Sequence, residues 1–74
     1  MKPNEIRAMT TPEIGAAIDS AKQEMFNLRV QWEIGQLEDY TRIRQLKKDI
    51  ARLKTVRRER ELAAEVVREE TDAE

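Results

Sequence analysis

At 74 residues the chain has room for one small domain, and equal charged and hydrophobic fractions of 39%, with three aromatic residues, leave only a thin core. Neither cysteine nor histidine is present, which excludes a disulfide framework, a thiolate nucleophile, a zinc-finger site and histidine-based catalysis. The net charge of −1 conceals a block pattern, with −3 over residues 1–41, +7 over 42–60 and −5 over 61–74. The longest unbroken apolar run, Ile14 to Ile18, is far short of a membrane span or a secretory core. A soluble, intracellular protein of a reducing compartment is therefore expected. A chain this short buries only about 60% of the surface its unfolded form exposes, so the fold is expected to be marginal without a partner.

Two glycines and two prolines punctuate the sequence and no stretch alternates in the manner of a strand, so an all-helical chain is predicted. Pro3 suits the first turn of a short N-terminal helix running to about Met9. Thr10 and Glu13 have capping-box spacing, with Met9 and Ile14 placed for the accompanying hydrophobic staple, so a long helix starts here. Ile14, Ile18, Ala21, Met25, Leu28 and Trp32 then recur every three or four residues as one narrow seam. Gly35 is placed to end that helix in a left-handed conformation. Asp39 or Thr41 caps the next helix. Its own seam is Ile43, Leu46, Ile50, Leu53 and Val56, weakening where Arg57 or Arg60 follows. Leu62, Ala63, Val66 and Val67 are expected to carry this helix beyond the body of the protein. A connection this short forces two long helices antiparallel. The predicted fold is all-α, a long antiparallel two-helix hairpin with a short N-terminal helix packed at its open end. Residues 1–68 form the single domain and residues 69–74 an acidic, disordered tail.

The chemistry lies on the second long helix. Measured on a helical wheel from Ile43, Arg44, Lys47, Lys48, Arg52, Lys54 and Arg58 fall between about 20° and 180°, with Ala51 in their midst. Six cations on one flank repel one another, and contact with a polyanion reverses that cost by releasing its counterions. The bland alternative is a solvated charged face. Trp32 invites base stacking, but its register with Met25 and Leu28 favours a place in the core. Tyr40, in the connection, is the better stacking residue, or else caps the core. Phe26, Val30 and Ile34 lie away from the seam of the first long helix, either as scattered exposed residues or as a partner surface. Dispersed carboxylates, the absence of a phosphate-loop glycine pattern and the lack of room for an enclosed pocket argue against an enzyme. No cofactor, metal or small-molecule substrate is expected.

The strings Phe26-Asn27-Leu28-Arg29, Gly35-Gln36-Leu37, Arg42-Ile43-Arg44 and Lys47-Lys48-Asp49-Ile50-Ala51-Arg52-Leu53-Lys54-Thr55-Val56, in this order, resemble ribosomal protein L-twenty-nine of the bacterial large subunit. The resemblance covers about residues 2 to 62. It implies a cytoplasmic, ribosome-bound helical hairpin that binds large-subunit ribosomal RNA near the nascent-chain tunnel exit, beside ribosomal protein L-twenty-three. Carried onto this sequence, it makes Arg44, Lys47, Lys48, Arg52 and Lys54 phosphate contacts, with Thr55 a hydrogen-bond donor beside them. Arg42 and Arg58 extend that set, and Asn27, Arg29 and Gln36 touch RNA or fix the helix junction. The sequence departs from the family pattern at Asp39-Tyr40 and in the acidic extension after Leu62, which is expected to project away from RNA. The competing expectation is a coiled-coil protein-interaction module without RNA binding, docking through Phe26, Val30 and Ile34. A DNA-binding hairpin is a third, lacking the usual recognition-helix arrangement.

Overall fold

The computed structural model describes residues 1–72, with side chains as far as Val67. It contains three helices, α1 (Pro3–Arg7), α2 (Thr11–Glu33) and α3 (Thr41–Asp72), and no strand among the described residues. The disordered tail expected over 69–74 is corrected as far as Asp72, to which α3 continues, and its last two positions lie outside the described residues.

Each boundary has a local cause. Pro3 opens α1, whose first turn is closed by Glu5 accepting from the Lys2 amide at 3.3 Å. This helix ends at Arg7, two residues before the expected Met9, whose amide instead bonds the Ile6 carbonyl in a turn. Thr10 caps α2, its hydroxyl accepting from the Glu13 amide at 3.3 Å, which is one half of the expected capping box. At the other end Gly35 takes φ +75°. That left-handed residue lets the Gln36 amide reach the Gln31 carbonyl at 2.8 Å and its own amide reach Trp32 at 3.1 Å, the paired closure of a Schellman motif. The start of α3 divides the capping work between two residues. The Tyr40 carbonyl accepts the first helical amides, while one Asp39 carboxylate oxygen accepts from the Thr41 amide at 2.9 Å and hydroxyl at 2.6 Å.

Helices α2 and α3 are antiparallel. Arg42, at the start of α3, pairs with Glu24 in the second half of α2, whereas Arg60 reaches Thr11 at the first residue of α2. Beyond Arg60, α3 therefore runs past the body, and Leu62, Val66 and Val67 are exposed. The described residues span 60 × 20 × 15 Å.

The α3 seam is buried as expected at Ile43, Leu46, Ile50, Leu53 and Val56. The α2 seam is not. Ile14 and Ile18 are fully buried, Ala21, Met25 and Leu28 only partly, and Trp32 is 44% exposed, so its core placement is corrected. Coverage explains the gradient. Near Ile14 and Ile18 a third helix contributes Ile6, with Met9 beside it, closing a cluster with Leu53 and Val56. Toward the loop only α2 and α3 meet; Ile43 and Leu46 of α3 stay buried in that contact, so the lost cover falls on the α2 side chains.

Candidate functional site

Because α3 buries the stripe from Ile43 to Val56, the opposite flank must face outward. Arg44, Lys47, Lys48, Arg52, Lys54 and Arg58 are all exposed there, and Ala51 among them is exposed too. At 1.5 Å per residue this ridge is about 21 Å long. Its C-terminal end is less purely basic than the count of cations implies. Arg58 pairs with Glu61 at 3.4 Å, and Glu59 falls at about 160° on the same wheel. The acid-free part of the ridge is thus Arg44 to Lys54. Thr55 donates its hydroxyl hydrogen to the Ala51 carbonyl at 2.8 Å, so it offers an anion no free donor in this arrangement.

Contacts that sequence reasoning missed hold the ridge in place. The N-terminal ammonium meets Asp49 at 2.9 Å, and Arg52 donates to the Met1 carbonyl at 2.7 Å, strapping the chain start across one turn of α3. Arg42, which the wheel sets at about 260° on the other flank of α3, forms a two-point pair with Glu24, at 2.9 and 3.1 Å. That bond holds the Glu24 carboxyl below its ordinary value and raises Arg42. Arg60 donates to the Arg7 and Met9 carbonyls, at 3.1 and 2.7 Å, and to the Thr11 hydroxyl at 3.3 Å. The one signal for this was positional, since Arg60 follows Val56 by four residues and so takes the next place along the seam.

At the loop end the ridge runs into an aromatic cluster. Trp32 and Tyr40 meet edge to face with centroids 5.3 Å apart. Arg44 and Lys47 lie 5.8 and 5.6 Å from the Tyr40 ring, and Lys47 Nζ donates to the Tyr40 hydroxyl at 3.4 Å. An open hollow here is lined by Arg29, Trp32, Glu33, Tyr40 and Arg44. Gln36 is exposed beside the junction, its amide committed to the α2 terminus. Asn27 accepts from Gln23 on the surface of α2 at 3.2 Å, a contact within one helix. Phe26, Val30 and Ile34 are 63%, 40% and 60% exposed, an apolar strip outside the core.

A sequence model of the family described as Ribosomal L29 protein matches residues 4–60 of this chain. The chain belongs to the ribosomal L29 protein family. Among its L29 relatives is the large ribosomal subunit protein uL29 of Geobacillus stearothermophilus, 61% identical over 64 residues, 86% of this chain and 97% of that protein. The uL29 of Geobacillus sp. (strain WCH70) is 59% identical over 64 residues, covering 86% and 94%. That of Bacillus cytotoxicus is 56% identical over 62 residues, covering 84% and 94%. The L29 match takes in α2 entirely and the ridge from Arg44 to Arg58. L29 is a family of ribosomal proteins and not of enzymes. Among the described residues no helix is long and apolar enough to cross a membrane.

Proposed function

We propose that this chain is a structural constituent of the large ribosomal subunit that binds ribosomal RNA through the α3 ridge, in the cytoplasm and near the nascent-chain tunnel exit. The observation that carries this reading is the exposed helical ridge of Arg44, Lys47, Lys48, Arg52 and Lys54, free of acids, in a chain whose relatives are large-subunit proteins. Packing against α1 and α2 fixes the helix before binding, so little ordering entropy is lost at contact. Arginines donate in directed pairs to phosphate oxygens, and the lysines act as compact charges. Such contacts read RNA shape and backbone rather than sequence. Residues 1–68 act as one domain, and the acidic stretch beyond Leu62 points away from the phosphates that would repel it.

The exposed strip of Phe26, Val30 and Ile34 supports a protein neighbour on the other side of the hairpin, which we assign to ribosomal protein L-twenty-three. A module that bound protein alone would not need the ridge. Salt separates the two readings. Binding to a large-subunit RNA fragment should weaken linearly in log–log form as salt rises. Replacing Lys47, Lys48 and Arg52 by Glu should flatten that line by roughly one slope unit per lost contact. Arg42→Gln should leave the slope nearly unchanged, because that guanidinium is already engaged by Glu24. A slope indifferent to the triple reversal would favour the protein module.

A further inference from the structure

We propose that the hollow at the loop end of the hairpin holds one unpaired RNA nucleotide, its base against Trp32 and its phosphate on Arg29 and Arg44. This rests on the RNA-binding reading and adds a single-stranded site to a surface otherwise suited to helical backbone. Trp32 has the register of a core residue yet stays 44% exposed, so a large indole surface remains uncovered by the hairpin. Tyr40 does not cover it, because the two rings meet at 66° and leave a corner between them instead of a closed stack. Stacking on an aromatic platform beside cations is how proteins hold unpaired bases, since every base offers a π face.

The charges around the corner favour a nucleotide over an apolar side chain. Arg29 and Arg44 line the same hollow as the two rings, and Lys47 stands 5.6 Å from the Tyr40 ring. Arg44 and Lys47 also belong to the ridge, so a strand lying on α3 reaches the corner without a gap. Glu33, the one acid lining this hollow, would repel a phosphate but accepts hydrogen bonds from an amine. The site therefore favours cytosine, adenine or guanine, whose exocyclic amine presents two N–H donors, over uracil, whose edge offers only the imide N3–H between two repelling carbonyls.

Trp32 is the only tryptophan, so its fluorescence reports on this corner alone. The full chain is titrated at low salt with oligo(C) and oligo(U) of about six nucleotides, and with inorganic polyphosphate. Oligo(C) should quench Trp32 and bind several-fold more tightly than oligo(U). Polyphosphate should compete for the cations without comparable quenching. Trp32→Leu should lower oligo(C) affinity roughly tenfold, while helix content and salt-dependent binding to duplex ribosomal RNA persist. Undiminished oligo(C) binding by Trp32→Leu, or equal quenching by polyphosphate, would overturn the nucleotide site. Equal binding of oligo(C) and oligo(U) would overturn the part given to Glu33. If the unmodified chain showed no salt-dependent binding to duplex RNA, the ridge reading would fail, a result distinct from failure at Trp32.

Discussion

Arg60 shows how one side chain can close a gap that apolar contacts leave open. The carbonyls of Arg7 and Met9 lie where α1 ends and have no helical amide to accept from, and the guanidinium supplies donors at 3.1 and 2.7 Å. Arg60→Ala should cost about 1.5–3 kcal/mol, the range for hydrogen bonds that involve a charged group. Urea unfolding would measure that loss, and faster amide exchange at Ile6 would place it at α1. Two carboxylates respond to pH in the opposite sense from a buried acid. The Arg42 hydrogen bond lowers Glu24 from its ordinary 4.5, and bonds from the Thr41 hydroxyl and amide lower Asp39 from 3.8. Depressed folded-state values mean that the unfolded chain binds more protons in this window. The stabilisation is therefore complete above those ordinary values and drains away as pH falls below them. Thermal midpoints should drop between about pH 5 and pH 3, and the drop should be shallower in the Glu24→Gln, Asp39→Asn double variant. An equally steep drop in that variant would place the acid sensitivity elsewhere.

Among the elements, the connection between α2 and α3 depends on a single backbone conformation. Gly35 holds φ +75° and has open space where a Cβ would stand, so Gly35→Ala meets no clash and suffers only the left-handed backbone penalty. That penalty is about 1–2 kcal/mol, readable as a lower urea midpoint with unchanged slope. The glycine, the Thr10 cap and the α3 seam were all legible in the sequence, because each depends on neighbours within a turn or on strict helical spacing. The α2 seam was only half legible. Periodicity says which face of a helix is apolar, not whether another element covers it, and beyond Ile18 no third helix does. Trp32 fits the spacing and still meets solvent for that reason. Long-range partners were hidden likewise. Nothing local links Met1 with Asp49, Glu24 with Arg42, or Arg60 with the end of α1, since these meet only after α3 folds back. The cation ridge could be read from spacing, but the pairing of Arg42 with Glu24 and the hydrogen bond from the Thr55 hydroxyl to the Ala51 carbonyl could not.

Across the whole molecule, charge and shape divide the labour. The +7 block lies on the part of α3 that the other helices brace, and the −5 block begins just past Arg60, where α3 leaves the body. A net charge of −1 is thus compatible with a strongly polar rod, 60 Å long, that presents one sign to a polyanion. In the proposed placement the ridge rests on ribosomal RNA, while the Phe26, Val30 and Ile34 strip faces a protein neighbour. A density map of a large-subunit particle carrying this chain tests that placement most directly. Arg44, Lys47, Lys48 and Arg52 should lie within about 3 Å of RNA phosphate oxygens. The same four side chains turned toward bulk water, or toward an acidic protein surface, would contradict it.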